Sequence, residues 1–159
     1  MITARLDRLD LVEYFQEADS TLRATFGRPI HTQTGATSTG VVYFEVEPGR
    51  HGGSHAHSAE EVVLILQGKA EAVVGEKRGR LSEGGMVVIP ARVPHDVRNV
   101  GEDTLRVVGF FPSAAVVTTF EEVLAPMNLR VMVMGAPPPD AQEGPRAAAP
   151  VVEGAETED

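Results

Sequence analysis

The stretch Gly49 to Gly68, GRHGGSHAHSAEEVVLILQG, decides the fold. His55 and His57 stand two residues apart. In an extended strand alternate side chains share a face, so both imidazoles point the same way. Two imidazoles on one face, with a carboxylate soon after at Glu60 or Glu61, begin a metal site. Gly49 and the Gly52-Gly53 pair let the chain bend before the histidines. VVLIL is a continuous run of strand-forming apolar residues, closed by Gln67-Gly68, and predicts a buried strand followed by a turn.

A second stretch answers the first. Gly84 to Asn99, GGMVVIPARVPHDVRN, is a turn, a short apolar strand, a proline and then a lone histidine, His95. Together the two stretches resemble the paired signature motifs of the cupin superfamily. Gly49, His55, His57, Glu61 and Gly68 fill the first motif; Gly84, Pro90, His95 and Asn99 fill the second. One position departs: Arg92 stands where the family usually has Gly. The resemblance covers roughly residues 40 to 112, with a short gap between motifs as in small microbial cupins. It implies a small jelly-roll barrel and a metal held by His55, His57, Glu61 and His95. Glu61 rather than Glu60 keeps the spacing to Gly68, which leaves Glu60 solvated or behind the ligands. His51 lies off the motif, at the site mouth or in solvent. His31 sits in a loop, and Arg92 and Arg98 are expected in solvent or gripping an anion at the mouth.

The remaining chain agrees with an all-β class. VVYFEV (41–46), KAEAVV (69–74), MVVIP (86–90) and TLRVVGFF (104–111) are short strands separated by Gly, Pro and Asn turn signals. Residues 1–35 form an N-terminal arm, partly irregular or pairing with a partner. LVEYFQEA suits a helical turn or two after the capping-box pattern Asp10 to Glu13, and YF and TLRATF suit strands equally well. Residues 36–134 hold the barrel and a short helix over FEEVLA (120–125), announced by the capping-box pattern Thr119 to Glu122. LRVMVM (129–134) reads as a last strand. Residues 135–159 are a Pro-, Ala- and Glu-rich tail with too few large apolar residues to repay the entropy of folding, and disorder is expected there.

Composition narrows the chemistry. A chain of 159 residues has length for one domain with a core. It has no cysteine, so disulfides and thiolate ligands are excluded and any metal must rely on His and carboxylates. The formal charge is −9; six acids against Arg146 place −5 of it on residues 135–159 and leave −4 on the rest. No basic stripe supports nucleic-acid binding. The N-terminus lacks a signal-type apolar region and no run is long enough to span a membrane, so a cytoplasmic protein is expected.

Three neutral imidazoles and one carboxylate would leave a divalent ion such as Fe, Mn or Ni with two open positions; Zn also fits such ligands. Phe44, Val63, Ile65, Met86, Val88 and Phe110 are candidates to wall a pocket, although VVLIL is apolar on both faces and parity does not choose among them. Three functions follow. One is a dioxygenase acting on a small organic substrate, as in the quercetinase-like cupins this chain resembles, with Glu61 doubling as a base. Another is a non-redox isomerase, lyase or polyketide-cyclase-like enzyme, with His51, Tyr43 or Glu60 carrying protons. The third is a non-catalytic binding module. A homodimer is expected, because pairing covers open sheet edges.

Overall fold

The structure is a computed structural model, and it describes residues 1–135. It contains twelve strands: β1 (Val12–Phe15), β2 (Arg23–Ile30), β3 (Gly40–Val46), β4 (His55–His57), β5 (Glu61–Gln67), β6 (Lys69–Val74), β7 (Lys77–Ser82), β8 (Met86–Ile89), β9 (His95–Asn99), β10 (Leu105–Phe111), β11 (Val116–Leu124) and β12 (Leu129–Met134). They form two six-stranded sheets. The first has the order β1-β2-β3-β10-β5-β8, the second β12-β11-β4-β9-β6-β7, and every pairing within them is antiparallel.

Alternation sorts each strand between an inner and an outer face. On β5, Glu61, Val63 and Ile65 are buried inward; on β10, Leu105 and Val107. With Val46, Ala70, Ile89, Val97 and Leu124 they build the core between the sheets. Tyr43, Val41 and Val108 point the other way and form a separate outer cluster, covered by Leu9 and Leu11. The first sheet is therefore apolar on both faces, which is why the VVLIL run carries no alternation of its own.

One expectation is corrected and one open reading is decided. FEEVLA is not a helix: Thr119 to Leu124 continue β11, which pairs with β12 on one side and β4 on the other. The preceding VVTT is four β-branched residues, and the two sheet neighbours override a local capping pattern. The N-terminal arm likewise belongs to the barrel. LVEYFQEA contributes strand β1 rather than helical turns, and β1 and β2 extend the first sheet through β3 of the same chain. LRVMVM is a strand as read. The disorder expected of the tail concerns residues that, beyond Gly135, lie outside those described. Among the described residues no helix is long and apolar enough to cross a membrane.

Candidate metal centre

β4 is only three residues long, yet it places two imidazoles. His55 and His57 share its inner face, and Ala56 faces out. On β9, His95 pairs directly opposite His55, and the two rings lie 4.2 Å apart between centroids. Glu61 opens β5, so the three imidazoles come from the second sheet and the carboxylate from the first. Glu61 and His95 are 2% and 3% exposed, values that only paired or ligating groups sustain. Glu60, one residue earlier, is exposed at the turn between the sheets.

Hydrogen bonds orient the imidazoles. Nδ1 of His55 donates to the Gly53 carbonyl at 2.7 Å, and Nδ1 of His95 to the Val93 carbonyl at 3.0 Å. Nδ1 of His57 bonds the Thr118 hydroxyl at 2.9 Å. With Nδ1 donating to a carbonyl, neutral His55 and His95 keep Nε2 as a lone-pair donor, the tautomer a metal requires. One ligand atom from each histidine lies within 4.8 Å of the others. Glu61 Oε2 is 3.3 Å from His57 Nε2 and 3.5 Å from His95 Nε2. Cis ligands around an ion with bonds of ~2.1 Å stand about 3 Å apart, so this spacing suits a common centre.

Electrostatics supports the same reading. Burial, followed by the charge of His95 and His57, holds His55 down at about 3, so it is neutral at pH 7. Burial pushes the Glu61 carboxyl up, but hydrogen bonding and charge from His57 and His95 outweigh it and bring it to about 2. Those last interactions need a proton on Nε2, whereas His55 and His95 spend their neutral-state proton on backbone carbonyls. Lone pairs therefore face a carboxylate, and His95 Nε2 is buried without a hydrogen-bond partner. A bound cation would pair these lone pairs with the carboxylate. The donor set fits a divalent metal.

The other sequence candidates lie elsewhere. Tyr43 is on the outer face of the first sheet, with its hydroxyl on Glu45 Oε1 at 2.5 Å, which removes it from the site. His51 is buried, but its Nδ1 bonds Asp96 Oδ2 at 2.6 Å and its Nε2 stands 3.3 Å from Asp19 Oδ2. It is not among the pocket-lining residues. Asn99 closes its motif structurally: its amide donates to the Val46 and Asp103 carbonyls, each at 2.8 Å. Arg92 has φ of 64°, a left-handed value that glycine adopts without strain, and its N–H bonds the His57 carbonyl at 2.8 Å. The tight turn survives with a Cβ at a conformational cost.

Beside the four donors a pocket opens between the sheets. Phe44 and Val63 line it, as expected; Ile65 is deeper in the core, and Met86, Val88 and Phe110 are exposed on the outer face. Phe111 and Phe120 pack edges and faces against His57 and His55, each at 4.8 Å. Several contributors were not singled out in the sequence: Tyr14 and Arg28 from the N-terminal strands, Thr118 from the segment read as helix, and Gly109. A Cβ on Gly109 would fall 1.9 Å from Glu61 Oε1 and 2.9 Å from Val42 Cγ1, so only glycine leaves room for the carboxylate. An isolated glycine inside the strand TLRVVGFF was the available signal.

Comparison with known proteins agrees with this architecture. Residues 42–111 match the cupin domain model. The chain is 29% identical over 97 residues to 1-methylthio-D-xylulose 5-phosphate methylsulfurylase of Rhodospirillum rubrum, covering 61% of this chain and 62% of that one. It is 28% identical over 69 residues to an uncharacterised protein of Streptomyces coelicolor, covering 43% of this chain and 66% of the other. It thus spans less than two thirds of either curated relative. Among solved structures it resembles oxalate decarboxylase of Lactobacillus farciminis, with a TM-score of 0.62 at 20% identity over 73% of this chain and 34% of that one. The oxalate decarboxylase of Bacillus subtilis gives 0.59 at 19% identity, over 62% and 28%. At these identities the structural likeness concerns the fold alone. With both motifs and the two-sheet barrel in place, residues 42–111 are a cupin domain and the fold is of the cupin type.

Proposed function

We propose that this protein is a metal-dependent enzyme of dioxygenase type, acting on a small and largely apolar substrate in the pocket between the sheets. His55, His57, Glu61 and His95 would hold a divalent transition metal such as Fe, Mn, Ni or Zn. The observation that carries the reading is the pairing of four converging donors with a pocket that offers no other free acid or base. Tyr14 spends its hydroxyl on the Gly52 carbonyl at 2.9 Å, and burial raises its pKa far above the usual phenol range. His51 is held by carboxylates, Tyr43 faces away and Glu60 is exposed. Proton-transfer chemistry therefore has only Glu61 to draw on. A divalent ion held by His55, His57, Glu61 and His95 would supply Lewis-acid and redox chemistry toward an enolate or phenolate substrate and dioxygen. The chain's own part is to orient the three imidazoles through their Nδ1 partners, hold the carboxylate ionised and wall the pocket with Phe44, Phe111 and Phe120.

A second reading is non-redox: isomerase, lyase or cyclase chemistry with Glu61 as the base. The methylsulfurylase and decarboxylase activities named for relatives favour keeping it in view. Separate reconstitution with Fe(II), Mn(II), Ni(II) and Zn(II), followed by oxygen uptake with enolisable and phenolic compounds, tests the choice. Uptake with redox-active metals and none with zinc is expected. Turnover with zinc and no oxygen consumption establishes the second reading, and stable metal with no turnover identifies a binding module.

A homodimer belongs to this proposal. Val88, Val62 and Phe110 are in register across β8, β5 and β10 on the outer face, and Met86 lies beside them; Met86, Val88 and Phe110 are exposed. Such a patch suits a second copy. Light scattering at micromolar concentration checks it.

A further inference from the structure

Arg28 is the one cationic side chain among the residues lining the pocket. It sits on β2, exposed at the pocket's rim, with its guanidinium carbon 5.5 Å from the centre of the Phe26 ring. One of its five donors is committed: Nη1 bonds the Val133 carbonyl at 3.1 Å. Among the described residues no carboxylate forms an ion pair with it. The pocket's other polar groups are already paired, Tyr14 with the Gly52 carbonyl and Thr118 with His57. The remaining walls, including Phe26, Val42, Phe44 and Val116, are apolar. Donor accounting thus leaves one unspent polar function, a guanidinium held by an aromatic ring and a carbonyl, at the exposed rim of a pocket whose buried wall carries Glu61, His57 and His95. An arginine so anchored loses little entropy when it grips an oxyanion, and its planar fork matches one.

We infer that Arg28 is a specificity-determining residue that selects substrates carrying an oxyanion at the end remote from the metal centre. The substrate class is then an apolar acid: a donor end at His55, His57, Glu61 and His95, a hydrocarbon body along the phenylalanines and a carboxylate or phosphate at the rim. The inference rests on the proposed metal centre, and its test separates the two.

Two series of alkyl hydroxamates of graded length serve as probes on the zinc-loaded full chain, one ending in methyl and the other in carboxylate. The hydroxamate anchors at the metal, and the far end samples the rim. At the best length, the carboxylate-ended probe is expected to bind about tenfold more tightly than its methyl partner. Arg28→Gln should abolish that difference while leaving the methyl-ended probe and zinc content unchanged, and Arg28→Lys should restore part of it. A phosphonate-ended set identifies which oxyanion is preferred. Equal binding of both ends to the wild type, a preference that survives Arg28→Gln, or equal loss of both probes on substitution overturns the inference while the metal centre stands. If neither series binds zinc-loaded protein, the metal centre itself is wrong and this assignment falls with it.

Discussion

The two ends of the space between the sheets share β5 and differ in everything else. At one end β5, β6 and β10 present Ile65, Ala70, Leu105 and Val107, closed and aliphatic. At the other, β4, β9 and the start of β5 present three imidazoles and a carboxylate beside an open pocket. The aliphatic end removes apolar surface from water and carries stability. The donor end desolvates groups that prefer water, a cost that a bound cation would offset. Separation of the two tasks along a shared strand lets the site be costly without unfolding the barrel.

Breaking the donor end should have the largest effect. His57→Ala leaves two imidazoles and is expected to abolish stoichiometric metal, measured by elemental analysis, while circular dichroism of the barrel persists. Breaking the closed end should do the reverse. Ile65→Ala is expected to cost about 2–5 kcal/mol of stability in denaturant unfolding and to leave zinc stoichiometry intact. Gly109→Ala sharpens the contrast, because it alters the first sheet only where the carboxylate passes. Its Cβ must displace Glu61, and metal affinity should fall by about 10–100-fold, the range for losing support behind a ligand.

Smaller effects lie at the edges of the site. Arg92→Gly relieves a left-handed residue, and about 1 kcal/mol of added stability is expected, with unchanged metal content. The His51–Asp96 pair gives the smallest change, on the order of 1 kcal/mol or less. Its hydrogen bond to Asp96 raises the His51 pKa against the opposing effect of burial. Burial would raise Asp96, but bonding and charge from His51 reverse this and lower it. The histidine contribution is complete below its unfolded value of about 6.5 and disappears as pH climbs through the raised one. The carboxylate contribution is complete above about 4 and disappears as pH falls through the lowered one. Stability measured from pH 6 to 9 should therefore decline more steeply in the wild type than in His51→Gln.

Much was legible in the sequence because it is local. The His55-x-His57 spacing needs only strand alternation to put two rings on one face, and the choice of Glu61 over Glu60 follows from residue counting; the structure buries Glu61 and exposes Glu60. Turn residues bracketed β3, β5, β6, β8 and β10 because glycine and proline act through their own backbone. The short helix over FEEVLA failed for the converse reason: a capping pattern is local evidence, and β4 and β12 decided the conformation from outside.

What only the tertiary structure decided is which faces look inward and what meets across the barrel. VVLIL is apolar on both sides, so its own residues could not place Met86, Val88 and Phe110 outside or Tyr43 in the outer cluster. The opposition of His55 and His95, the space Gly109 leaves for Glu61 and the Thr118 hydroxyl behind His57 join residues from 40 to 61 positions apart, and the position of Arg28 at the rim is likewise set from outside its own strand. The sequence by itself determined the barrel and nominated the donors, since both readings rest on short-range geometry. Convergence of those donors on one centre, and the chemistry of the pocket around it, depends on long-range pairing between strands, which no local pattern records.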